Sequence, residues 1–199
     1  MPFSTAGADY QLSQWAASYA LYASLHTAYS ATGGNEVSGG SYARVPITWG
    51  SPSGNTISIS GTPYSINVPA STTVAFLGFW SASSGGNFGG MIPLGGAAAY
   101  AFAVPSSTGV LLAPGSAYSA NQPVVVTAPG GSTTPGGLTV GTIYYAKTPS
   151  SDSTSLSATS GGSAITITAD GSGLVQAITT EAFSGAGNYS LTSASWTLT

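Results

Sequence analysis

Leu12, Trp15, Ala16 and Tyr19 recur at i, i+3, i+4 and i+7, the spacing that lines one face of an α-helix. That spacing predicts a helix over residues 6–19, with Ser4 or Thr5 placed to cap its first turn and Asp9 placed to favour its dipole. Everything after it reads as strands between Gly, Ser, Pro and Asn. Residues 20–27 and 41–50 are candidate strands, Ile57 and Ile59 alternate with serines, and Ile66 and Val68 flank Asn67. The run Val74 to Trp80 is apolar on both faces, as a central strand of a sandwich or barrel would be. Gly85-Gly86-Asn87 signals a turn, so Phe88 to Leu94 is its expected hairpin partner.

The second half carries short apolar runs at Val110 to Leu112, Val124 to Val126 and Ile143 to Tyr145, and Ile165 and Ile167 alternate with threonines. From Asn188 to Thr199, Tyr189 and Leu191 share one phase whereas Ala194, Trp196 and Leu198 share the other. The slip near Ser193 predicts a bulge or bend. The pattern as a whole predicts a mainly β fold: a β-sandwich or barrel-like domain with one N-terminal helix and a small β-rich insertion domain.

Composition narrows what such a fold can do. The 199 residues suffice for one domain or two small ones. Only 4% of residues are charged, against about 25% in ordinary soluble domains. Arg44 and Lys147 are the only cations, and no charged residue lies between them. A nucleic-acid binder needs clustered Lys and Arg to neutralise phosphates, so that class is excluded. With no cysteine, disulfides and thiolate metal sites are excluded too. Disorder does not fit 42% hydrophobic and 11% aromatic residues at a net charge of −3. The apolar run from Ala97 to Val104 is far short of the ~20 residues of a spanning helix, and no secretory signal is expected from the amino terminus.

Several runs resemble a known family in their order along the chain. Ser24-Leu25-His26-Thr27-Ala28, the stretch Gly34 to Arg44, Val68 to Val74 and Gly78 to Phe88 resemble small tail-fibre or minor structural proteins of tailed bacteriophages. In that family the chain closes soon afterwards with a segment like Gly185 to Thr192, which here is delayed. The intervening Ala128-Pro129-Gly130-Gly131, Pro135 to Tyr145 and Leu156 to Gly162 resemble a small β-module of phage structural proteins. The resemblance implies a host β-domain of residues 1–104 plus 183–199 with the module, residues 105–182, inserted in one of its loops. It further implies a non-enzymatic virion protein of the tail or its fibres, acting through assembly with other virion proteins and as a homo-oligomer. A capsid decoration protein and a host-surface carbohydrate or receptor module are the alternatives.

Each candidate residue also has a plainer structural role. His26 lacks an evident acid and nucleophile in a triad pattern, no G-x-S-x-G elbow occurs, and ordinary hydrogen bonding in a strand is the better expectation. Asp152 and Asp170 sit in turn-like surroundings without a calcium-loop pattern. No catalytic residue, metal site or cofactor is therefore expected. Glu36 and Arg44 flank the Gly39-Gly40 turn and form a candidate ion pair, within a subunit or across an interface. Trp80 and Trp196 are expected in the core, whereas Trp49, Tyr144 and Tyr145 are candidates for a contact surface.

Overall fold

The computed structural model describes residues 4–95, 98–106, 108–128 and 131–198; Ala97 of the apolar run and Pro129-Gly130 of the module motif lie outside them. With 41% strand and 8% helix the fold is mainly β, as the patterning predicts. The chain divides into two compact units, one comprising Met1–Ile92 and Glu181–Thr199 and the other Pro93–Thr180.

In the first unit, α1 (Thr5–Tyr19) starts where the capping rule places it: Ser4 is extended and its hydroxyl accepts a hydrogen bond from Gly7 N at 3.2 Å. Ser4→Ala removes that acceptor and is expected to cost about 1 kcal/mol, measured as a lower denaturation midpoint. Asp9 lies past the first turn, so it does not serve the helix dipole as expected. Its carboxylate instead accepts from Asn55 N at 2.9 Å. Ala8, Leu12 and Ala16 form the buried face, while Tyr19, at the end of the helix, is exposed.

The chain then forms β1 (Tyr22–His26), β2 (Val45–Pro46), β3 (Thr48–Trp49), β4 (Thr56–Ser60), β5 (Tyr64–Val68), β6 (Thr72–Val74), β7 (Phe76–Trp80) and β8 (Phe88–Pro93). The single strand expected over 41–50 is two short ones, because Pro46 has no N–H to continue a ladder. Four strands make a sheet in the order β2-β1-β7-β8. Every residue of β7 is buried, as its two apolar faces predict. Its antiparallel register with β1 sets Tyr22 opposite Trp80, Ser24 opposite Gly78 and His26 opposite Phe76.

The second unit is built on β9 (Ala99–Val104), β10 (Leu111–Leu112), β11 (Pro123–Thr127), β12 (Ile143–Ala146), β13 (Ser153–Thr154), β14 (Leu156–Ser157) and β15 (Gly171–Ala177). They form one sheet ordered β13-β10-β9-β15-β11-β12-β14. The two outermost strands, β13 and β14, are separated in sequence by Ser155 alone, so the sheet curls round to meet itself as a nearly closed barrel. Phe102, Leu111, Val124, Val126, Tyr144, Leu156 and Val175 fill it. β9 pairs along its whole length with β15, so residues 99–104 belong to this sheet rather than to the host domain assigned from sequence. Ile165 and Ile167 do not form the expected strand: that stretch makes only isolated bridges, at Ala164 and Ala169, while both side chains pack on the barrel core.

Returning to the first unit, β16 (Glu181–Phe183) pairs with β6 and β17 (Gly187–Leu191) pairs with β5. β18 (Ser195–Thr197) pairs with β4, which also holds β3. The slip predicted near Ser193 is the break between β17 and β18, where the chain changes partner strand. No helix among the described residues is long and apolar enough to cross a membrane.

Candidate functional site

The first unit gathers its chemically distinctive side chains around β1 and β7. Ser24 and His26 are two residues apart on a strand and so share a face; both are wholly buried. Opposite them, Gly78 leaves the space that the imidazole fills. The Ser24 hydroxyl lies 2.7 Å from His26 Nε2 and accepts from Trp80 Nε1 at 3.0 Å, while His26 Nδ1 lies 2.9 Å from Gly34 O. One proton arrangement satisfies every group: Trp80 donates to Ser24, Ser24 donates to Nε2, and Nδ1 donates to Gly34 O. Burial holds the His26 pKa below its ordinary value, although the Gly34 hydrogen bond and the Glu36 charge work the other way.

The pair has the Ser–His distance of a nucleophilic site, but the partner of the second ring nitrogen is a peptide carbonyl, where a triad has a carboxylate. Both side chains are shut off from solvent. The arrangement orders β1, β7 and the loop after β1. Ser24→Ala leaves the Trp80 N–H and His26 Nε2 buried without this partner and is expected to cost about 2 kcal/mol in denaturant unfolding.

Glu36 and Arg44 form an ion pair within the chain. Arg44 Nε and Nη2 donate to the two carboxylate oxygens at 2.8 and 2.7 Å, the planar fork geometry that makes such pairs specific. Nη1 donates to Ala82 O at 3.1 Å and Gly85 O at 2.7 Å, pinning the turn after β7. The guanidinium carbon sits 3.6 Å from the centre of a Trp80 ring. Tyr42 donates its hydroxyl to Glu36 and accepts from Leu25 N. Burial, joined by the nearby carboxylate, raises its pKa well above that of a free phenol. Glu36, Arg44, Trp80, Ser24 and His26 are thus linked in one network, which links strands, loop and turn.

The remaining sequence candidates lie elsewhere. Trp49 is half-buried, its ring centre 5.2 Å from that of Trp15 and 5.3 Å from that of Phe79, and Nε1 donates to Ala20 O at 2.7 Å. It belongs to an aromatic cluster with Trp15, Phe79 and Trp196, so it is a packing residue rather than a contact residue. Tyr144 is also misassigned to a surface: it is 5% exposed in the barrel core, and its hydroxyl accepts from Thr139 N. Tyr145, which points the other way along β12, is half-buried. Asp152 and Asp170 accept backbone N–H bonds from Gly115 and Ser106, which lower their pKa values and stabilise turns. No group of three or more His, Asp or Glu suited to a metal ion occurs among the described residues.

The His26 network was hidden from sequence reasoning because its parts are 56 residues apart at the widest hydrogen bond. The one local signal was the glycine at position 78 within an otherwise bulky apolar strand.

Comparison with known proteins gives one finding. Residues 9–100 match the family described as podophage GP4 fiber I protein gp80. No curated protein and no solved structure matches the chain.

Proposed function

We propose, from the match of residues 9–100 to a phage fibre family, that the chain as a whole works by protein–protein assembly in the tail or its fibres. That match supports reading the chain as a virion component with a structural role among other virion proteins. The family match carries the proposal. Two features support the assembly reading. The ionisable groups of the first unit's network are spent on internal bonds, and the N-terminal helix region presents uncharged side chains, Tyr10 at 62% and Leu21 at 41% exposure. Surfaces depleted of charge are cheap to desolvate and resist association little.

In this reading the chain self-associates, and the second unit is an inserted module that faces outward. The ends of that unit support insertion, because Thr179 N donates to Leu94 O at 2.9 Å and so holds entry and exit together. The carbohydrate reading has lost two of its three aromatic candidates, since Trp49 and Tyr144 are packing residues.

Mass spectrometry and cryo-electron microscopy of purified virions test the proposal. Density for the chain at the tail, with several copies in contact, is the expected result. Density on the capsid shell would instead make it a decoration protein. A strictly monomeric protein absent from particles would overturn assembly altogether.

A further inference from the structure

The chain carries few charges, and most of them are used internally. Asp9 accepts from Asn55 N, Glu36 and Arg44 hold each other, Asp152 accepts from Gly115 N and Ser151 Oγ, and Asp170 accepts from Ser106 N. Two opposite charges are left over. Glu181, at the start of β16, is exposed, and its carboxylate makes no hydrogen bond or ion pair with any described residue. Lys147, just past β12, meets no carboxylate among the described residues. One of its ammonium donors reaches Gly162 O at 2.6 Å, which leaves the others open.

Each leftover charge stands near a half-buried tyrosine. Along β12, Tyr144 and Ala146 turn into the barrel, so Tyr145 and Lys147 share the opposite face. Glu181 lies near Tyr189, whose phenol pKa is raised by burial and, after it, by that carboxylate. The two charges belong to different units, Lys147 to the second and Glu181 to the first.

We propose that Lys147 of one copy pairs with Glu181 of a second copy, setting the Tyr145 face of the second unit against the Tyr189 face of the neighbour's first unit. The proposal rests on the self-association reading above and names the contact. Charge complementarity selects the partner. Asp9, Glu36, Asp152 and Asp170 already accept hydrogen bonds, so Glu181 is the side-chain carboxylate that Lys147 can approach without displacing a bond. Every copy brings both charges, so a contact made once can be repeated through a symmetric assembly. An exposed pair of this kind adds little affinity by itself. It fixes the register of the two surfaces and speeds their encounter, while the uncharged area around it supplies the burial.

Zero-length crosslinking of the full chain with a carbodiimide tests the contact, because the reagent joins an amine to a carboxylate only where they touch and the chain has a single lysine. At low salt, covalent dimers are expected on a denaturing gel, and their chymotryptic digest should contain Lys147 joined to Glu181. The yield should fall steeply near about 0.5 M salt, where exposed charges are screened. Lys147→Arg keeps the charge but removes the reactive amine, so it should retain association in sedimentation and lose these dimers. Lys147→Glu and Glu181→Lys are each expected to weaken association about tenfold at low salt, and the two variants mixed together should recover it. Oligomers whose dimers lack the Lys147–Glu181 link overturn this contact and leave self-association standing. So do a link confined to the monomer band, one from Lys147 to Asp152 or Asp170, and single reversals that leave association unchanged. Lys147 joined to a different protein in crosslinked virions overturns it as well. A strictly monomeric chain in sedimentation overturns the self-association reading and the contact together.

Discussion

Gly78→Ala is expected to destabilise the first unit by about 3 kcal/mol, enough to unfold a marginal domain. A Cβ at this position would lie 2.6 Å from Ser24 Oγ and 2.8 Å from His26 Cδ2, and would overlap His26 Nε2. Neither neighbour can step aside. Both are wholly buried and tied on the far side, Ser24 by the Trp80 indole and His26 by Gly34 O. The sign of the effect is informative, because the backbone at Gly78 is not in the left-handed region. With free space, replacing such a glycine by alanine would stabilise by about 0.4–1 kcal/mol through the unfolded chain. The four tryptophans, at 15, 49, 80 and 196, all fall within the first unit. Indole fluorescence in a denaturant titration therefore reads that unit's midpoint, and a midpoint equal to or above that of the unaltered chain would refute the close-contact account.

The second large effect is expected at Arg44. Arg44→Ala strands the Glu36 carboxylate, whose side chain is only 20% exposed, with Tyr42 as its remaining side-chain donor. It also removes both hydrogen bonds to the 82–85 turn and the cation from the Trp80 ring. Leaving one member of a mostly buried ion pair uncompensated costs about 3 kcal/mol or more, whereas removing both members costs far less than the sum. A double-mutant cycle with Glu36→Ala should thus show strong coupling, the double variant being more stable than Arg44→Ala alone. Arg44→Lys is expected to fail as a substitute, since an ammonium cannot reach two carboxylate oxygens and two carbonyls in one plane. Simple additivity of the two single changes would refute the pairing as an energetic unit.

How much of this was legible in the sequence depends on distance along the chain. The helix, its Ser4 cap, the wholly apolar β7 and the partner change near Ser193 are local patterns, and each is present in the structure. The strand β15 escaped notice because Gly171-Ser172-Gly173 reads as a loop. Its glycines are required by crowding: a Cβ at Gly171 would lie 2.5 Å from Thr133 O, and one at Gly173 would meet Thr127 O and sit 3.0 Å from Phe102 Cε1. Ile165 and Ile167 failed the other way, since alternation reports a side chain's phase and not whether a partner strand is present. Trp49 and Tyr144 are read as contact residues because their local sequence does not show what packs against them. Their burial comes from elements remote in sequence, α1 and β7 for Trp49 and the barrel for Tyr144. The Glu36–Arg44 pair was legible as a pair, but not its seat on Trp80.

The single-residue step at Ser155 between β13 and β14 has a consequence for how the second unit meets its neighbours. An open sheet ends in a row of unpaired N–H and C=O groups that any neighbouring strand can extend. By folding its first and last strands into one kinked stretch of chain, the second unit exposes little template for strand-on-strand growth. Ribbon growth by strand addition is thus disfavoured at this sheet, whatever neighbour it meets.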